Sequence, residues 1–220
     1  MKKFDEKKLV IKLDKILKKE FGTNLSFREF SAGYGIADLV FASSFSFSKK
    51  IIQRTPLTDF NSLNIFLTLE EQKIYSCIEI ITIFPHLSEK EIKNQIKNLT
   101  NFGYLEKIDK NRFKKIIKDE SLSPIQKIIA IEVKLNDHKN GLIQARRYQY
   151  FADESYLAIL KEAEKNINIK EFNRHNIGLI LFDNKTNTIE IKYPKQKNLI
   201  CDSSVHLFAK EMMMSKYIIS

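Results

Sequence analysis

The stretch IIAIEVKLND, Ile128 to Asp137, sets the frame for the whole chain. It is an apolar run broken by a carboxylate, Glu132, and an amine, Lys134, two residues apart. In a strand, residues i and i+2 share a face. Glu132 and Lys134 therefore project together, while Ile131, Val133 and Leu135 turn into the core on the other side. An acid and a base held beside a core are costly to desolvate unless something uses them.

A second strand raises the same question. LSFREFSAG (Leu25–Gly33) and IADLVFASSFSF (Ile36–Phe47) both alternate in the strand manner, with GYG as a tight turn between them. Ile36, Asp38 and Val40 share one face of the second, so Asp38 is one acid in an otherwise apolar strand. Ahead of these lies an amphipathic helix from about Asp5 to Phe21, with Leu9, Leu13, Ile16, Leu17 and Phe21 as its stripe and Gly22 as its stop. Glu20 follows Ile16 by four and Leu13 by seven, which places a carboxylate on or beside the buried face. Asp38, Glu132 and Glu20 converging on one spot would repel each other without a cation. Mg²⁺ suits such a set, because it favours oxygen ligands and keeps several waters. Lys134 can then orient or deprotonate a water, or stabilise developing negative charge. This is equipment for metal-assisted phosphodiester hydrolysis.

Between the two strands the pattern changes. Residues 49–64 read as a connection. TLEE (Thr68–Glu71) has the spacing of a capping box and predicts a helix running to Phe84, before Pro85. SEKE (Ser88–Glu91) opens a second helix with Ile92, Ile96 and Leu99 on one side and an end near Gly103. YLEKIDKNRFKKII (Tyr104–Ile117) reads as a hairpin turning at Asp109–Asn111. Two helices and a hairpin predict a winged helix whose first helix falls around Thr58–Phe66. Residues 86–118 hold nine basic side chains against four acidic ones. Lys93, Asn94, Lys97 and Asn98 fall on the outward face of the second helix, as a recognition helix in a major groove requires. Arg112 and Lys114 on the hairpin add to the same basic surface.

After Pro124 the core pattern resumes. QKIIAIEVKL, SYLAIL and IGLILFD are strands, TNTIEIKYP pairs with the last across DNKTN, and helical stretches lie at KNGLIQARRYQYFADE, IKEFNRHN and Ser203–Tyr217.

Composition bounds the function. The net charge is +10, and all but six of the 37 basic residues are Lys. Such an excess favours a polyanionic partner, usually nucleic acid. Hydrophobic residues at 43% exclude a disordered chain. Cys77 and Cys201 have no ligand-spaced neighbours, so neither a zinc site nor a disulfide framework is expected. The amino terminus is charged throughout and no apolar run is long enough to span a bilayer, so a cytoplasmic location with no membrane partner is expected. No Gly-rich phosphate loop is present, so no nucleotide cofactor is expected.

GIADLVF followed by IAIEVKL resembles the PD-(D/E)XK nuclease superfamily, whose restriction-endonuclease-like fold carries an acid on one core strand and acid–any–Lys on the next, after a helix that often bears Glu. The resemblance spans residues 1–48 and about 124–193. It implies an α/β fold: a central mixed sheet flanked by helices, interrupted by a winged helix-turn-helix insertion. It places a nuclease core at 1–57 and 120–220 and the insertion at 58–119. It also implies that Asp38, Glu132 and the Val133 carbonyl bind Mg²⁺, with Mn²⁺ able to substitute. Lys134 would assist the nucleophilic water and Glu20 would hold metal or water indirectly. Gln144, Arg147 and Tyr148 would approach the site from the helix after the third strand, Gln144 in catalysis and Arg147 against DNA. The departure is the gap: ninety-four residues separate Asp38 from Glu132, and the basic segment fills it. The expected activity is endonucleolytic cleavage of double-stranded DNA, with two-strand cutting by a homodimer or by sequential nicking. The rival expectation is a non-cleaving DNA-binding regulator or accessory subunit that keeps the fold. RNA cleavage is weaker still, since no aromatic platform for single strands stands out in the sequence.

Overall fold

The computed structural model describes residues 5–45, 54–119, 122–194, 196–200 and 202–219. Residues 49–53 of the expected connection and Cys201 lie outside these. Two compact units form, one of Met1–Phe45 with Ile125–Ala209 and one of Ser46–Pro124 with Lys210–Ser220. In chain order the described helices are α1 (Glu6–Glu20), α2 (Phe60–Thr68), α3 (Cys77–Ile83), α4 (Glu89–Asn101), α5 (His138–Arg147), α6 (Ile169–His175) and α7 (Ser203–Ile219). The strands are β1 (Ser26–Ser31), β2 (Ile36–Phe45), β3 (Ile74–Ser76), β4 (Leu105–Lys107), β5 (Arg112–Lys115), β6 (Ile125–Val133), β7 (Glu154–Leu160), β8 (Gly178–Asp183) and β9 (Thr188–Lys192).

The first unit is an α/β layer structure around a mixed sheet of order β1-β2-β6-β7-β8-β9. β1, β2 and β6 run antiparallel to their neighbours, β6, β7 and β8 run parallel, and β9 returns antiparallel. The parallel steps need crossovers, which α5 and α6 supply. Alternation in the strands sorts the two faces. Leu39, Phe41, Ile129, Ile131 and Val133 turn to α1, where Leu9, Leu13 and Leu17 lie fully buried at helical spacing. Each such burial contributes roughly 1.5–3 kcal/mol. Asp5 caps α1 by accepting from the Lys8 amide (2.9 Å), and Gly22, at φ +61°, takes the left-handed position just past its end. On the opposite face Leu142, Ala145 and Phe172 from α5 and α6 cover Leu157, Ile159, Leu179 and Leu181. No helix among the described residues is long and apolar enough to cross a membrane.

The second unit holds α2, α3 and α4 and a small sheet of order β3-β5-β4. The first helix, only faintly marked in the sequence, is α2; Asp59 caps it through the Ser62 amide (2.7 Å). The helix expected to start at Thr68 does not. Thr68 ends α2, Gln72 takes a left-handed φ of +64°, and Tyr75 is buried in a β3 strand paired with β5. The reciprocal cap belongs to Ser76 and Glu79, whose amide and side-chain bonds measure 3.2 and 2.6 Å, so α3 starts eight residues later than the TLEE spacing suggests. The second expected cap holds: Ser88 and Glu91 cap α4 reciprocally. The hairpin forms as expected, with Asp109 accepting from the Asn111 and Arg112 amides at 3.0 and 2.9 Å.

The second unit is wider than the span 58–119. It also takes in residues 210–220, which the sequence reading assigned to the core. The cause is an ion pair that no local pattern reveals. Glu211 is 0% exposed; it accepts from both terminal nitrogens of Arg54 (2.6 and 2.5 Å) and from the Leu57 amide (2.9 Å).

Candidate active site

Asp38 and Glu132 meet through the β2–β6 ladder. The register pairs Leu39 with Ile131, so one step further sets Asp38 across from Glu132 on the same face. That face lies on the α5 side of the sheet, which confirms the expected alternation: Ile131 and Val133 point into the α1 core. β6 ends at Val133, whose amide donates to Asp38 Oδ2 at 2.7 Å. Asp38 Oδ1 accepts no hydrogen bond among the described residues. A cleft of about 470 Å³ opens on Asp38, lined also by Glu6, Arg28 and Glu29.

Glu132 is 2% exposed, and its Oε1 pairs with Lys134 Nζ at 2.5 Å. Oε2 lies within hydrogen-bond reach of the Tyr148 hydroxyl, which also donates to the Ile36 carbonyl at 2.8 Å. That hydroxyl has one proton, so the Glu132 carboxylate and the Ile36 carbonyl are alternative acceptors for it. Burial raises the Glu132 carboxyl above its ordinary range, the bonds from Lys134 and Tyr148 oppose this, and the charge of Asp38 adds to it. Asp38 is raised as well, by burial first, against the Val133 amide and Lys134, with Glu6 and Glu29 contributing repulsion. For Lys134 burial works against the charge, but the pairing with Glu132 wins and the ammonium is stabilised. Lys134 is held as a cationic donor to Glu132.

The local sequence builds this arrangement. Asp137, which closes the IIAIEVKLND stretch, caps α5 through the Asn140 amide (3.3 Å) and turns the chain back over the strand end. Gly141 then lets the helix approach: a Cβ there would lie 2.5 Å from Leu157 Cδ1 and 3.1 Å from Lys134 Cγ. The absent methyl leaves room for the Lys134 stem.

Glu20 is not part of the site. It lies fourteen residues along α1 from Glu6, about 21 Å at the helical rise, and its carboxylate accepts from the Tyr193 hydroxyl (2.9 Å). The helix carboxylate at the site is Glu6, which accepts from the Leu135 amide (3.4 Å) and acts on Asp38 and Lys134 electrostatically. Glu6 sits on the first turn of α1, level with the end of β6; it precedes Leu9 by three and Leu13 by seven, so periodicity sets it on the same stripe as Glu20 and does not choose between them. Gln144 is half-buried on α5 and makes no hydrogen bond among the described residues. Arg147 is exposed and acts on Tyr148 only through space. The partner of Glu132 from that region is Tyr148.

A further distortion faces Asp38. β1 and β2 pair from Ser26–Phe41 through Ser31–Ile36, but the rung that would join Glu29 to Asp38 is missing. Glu29 sits there at φ +50°, a region L-residues with a Cβ occupy at a cost.

Among the described residues no group of three or more His, Cys, Asp or Glu is gathered as a metal-ligand set, so the expected three-carboxylate cluster with Glu20 does not form. The donors that remain, two carboxylates and the Val133 carbonyl, are all oxygen and suit Mg²⁺. Two adjacent acids held above their ordinary range by burial would be relieved by a cation, so the donor set fits the ion.

In the second unit Lys93, Asn94, Lys97 and Asn98 are all exposed on α4, as expected. Lys93 pairs with Glu89, and Arg112 with Asp109 at 2.6 Å. Lys114 is half-buried. Lys115 is 1% exposed, bonded to the Leu69 carbonyl and Asp119 and set over the Phe66 ring, so one of the nine basic residues is structural. Lys93, Lys97, Lys107 and Lys110, with Asn101 and Asn111, line a groove of about 320 Å³ between α4 and the hairpin.

Compared with protein-family models, curated proteins and solved structures, the chain has no significant match to any of the three.

Proposed function

We propose that the chain is a Mg²⁺-dependent DNA endonuclease of the PD-(D/E)XK kind, with a winged-helix insertion that holds duplex DNA. One observation carries the reading: two acids ninety-four residues apart stand across one rung of the sheet, beside an ammonium paired to one of them. The helix–strand–helix–helix–strand–strand order of the second unit and its exposed Lys and Asn residues support the DNA-binding part.

Asp38, Glu132 and the Val133 carbonyl would hold the ion, which when bound supplies charge neutralisation and activation of water. The chain's own groups do the rest. The Val133 amide and Tyr148 fix the two carboxylates, and the Lys134 ammonium donates to the attacking water or to a phosphate oxygen as charge builds. Water adds to phosphorus as the bond to the 3′ oxygen breaks; the water gives up a proton to solvent and the departing oxygen takes one from solvent, leaving 5′-phosphate and 3′-hydroxyl. The cytoplasm is the expected compartment.

Plasmid nicking tests this. Wild type with Mg²⁺ or Mn²⁺ should convert supercoiled to open or linear DNA, and Glu132→Ala and Lys134→Ala should lose activity by about 10²-fold or more. Tight binding without cleavage by wild type, over a broad substrate panel, would overturn it. That outcome would establish the second reading, a DNA-binding accessory chain. One observation favours that rival: Lys134 and Tyr148 already engage both oxygens of Glu132.

A further inference from the structure

Beside the site, the structure presents an aromatic surface that the sequence does not reveal. Tyr34, at the tip of the β1–β2 turn, stacks on Tyr150 with ring centroids 4.1 Å apart and planes 5° from parallel. The turn is built for this. Gly33 and Gly35 both adopt positive φ, +98° and +101°, and raise Tyr34 between them. Tyr75, Tyr104, Tyr148, Tyr156 and Tyr193 each engage a hydrogen-bond partner through the hydroxyl. The hydroxyls of Tyr34 and Tyr150 have none among the described residues. Tyr150 is 39% exposed and Ile36, next in the turn, 62%.

This surface connects directly to the acids. Ile36 precedes Asp38 by two residues on the same face of β2, a step of about 7 Å. Its carbonyl accepts from Tyr148, the residue that reaches Glu132, and Tyr150 follows Tyr148 by two. Arg146 and Arg147, both exposed, immediately precede Tyr148 in the chain. A stacked pair of rings, Tyr150 exposed and Tyr34 half-buried, with cations nearby in the chain is what a base and its phosphate require, because every base offers a π-face.

We propose that Tyr34, Tyr150 and Ile36 form a stacking platform for one unpaired base, placing its backbone at the Asp38–Glu132 site, so that DNA with an unpaired nucleotide is preferred over continuous duplex. This rests on the nuclease reading for its purpose but not for its test. A duplex carrying a single bulged 2-aminopurine and the same duplex fully paired are titrated with protein in EDTA. Binding of wild type should quench the bulged 2-aminopurine. Tyr34→Leu/Tyr150→Leu, which keeps apolar bulk without rings, should abolish the quench and weaken binding of the bulged duplex by about 10-fold. Binding of the paired duplex should change less than about twofold. The Phe double variant should behave as wild type. Saturating binding of wild type with no change in 2-aminopurine emission would overturn the proposal, and that measurement needs no variant to fold. Equal losses on both duplexes would also overturn it. Quenching without cleavage after Mg²⁺ is added would retain the platform and refute the nuclease reading. Normal cutting by the Leu double variant on bulged DNA would do the reverse.

Discussion

Each unit of the molecule buries a carboxylate beside a cation, and the two solutions differ. In the second unit Glu211 and Arg54 close on each other. Both terminal guanidinium nitrogens meet both oxygens, the Leu57 amide adds a third bond, and Tyr104 links Arg54 to the Thr55 carbonyl. Charges cancel and the planar fork is filled. In the first unit Asp38 and Glu132 share one ammonium, with Glu6 and Glu29 close enough to add repulsion. Oδ1 of Asp38 accepts no hydrogen bond among the described residues, a cleft opens on the residue, and the backbone opposite is distorted at Glu29. A saturated pair holds structure; an unbalanced group open to solvent is equipped to take a ligand.

The sharpest way to break this contrast is Glu211→Ala. It leaves a buried guanidinium uncompensated and should cost about 3–5 kcal/mol in urea unfolding. A cost below about 1 kcal/mol would remove the distinction between the two pairs. Gly141→Ala comes next. Its methyl would collide with Leu157 and the Lys134 stem, at about 1–3 kcal/mol, and should also lower any Mg²⁺-dependent cleavage by displacing Lys134. The smallest effect is of opposite sign. Asp38 has a folded-state pKa above its unfolded value, so its protonated form favours folding below the unfolded pKa. That advantage is lost as pH rises through the folded value. Asp38→Asn should therefore match wild type near pH 4 and exceed it at pH 7 in EDTA, by less than about 1 kcal/mol. Thermal unfolding with added Mg²⁺ should reduce that difference, since only wild type gains from the cation.

Much of the first unit was legible because strand alternation states which face is buried. Asp38, Glu132 and Lys134 stood out as polar residues in apolar strands, and the same rule set Ile131 and Val133 in the core. What failed was placement along an element. Glu20 has the right relation to the α1 stripe but lies at the wrong end, and helical periodicity carries no information about which turn meets a strand terminus. Glu6 reaches the site from a helix start, and of the residues offered after the third strand it is Tyr148, just past the end of α5, that reaches Glu132. In the second unit TLEE has the spacing of a cap, but the cap is made by Ser76 and Glu79, after Tyr75 buried in β3. The partnership of Glu211 with Arg54 spans 157 residues and leaves no local trace.

The left-handed residue in β1 has a consequence for assembly. β1 is one margin of the six-stranded sheet, and an uninterrupted outer strand is a template onto which another chain can add. Glu29 breaks the repeat of donors and acceptors in the middle of that strand, leaving short runs on either side. Strand addition along this margin is thereby discouraged, and the opposite margin, β9, where the ladder runs without such a break, is the edge left to an added strand.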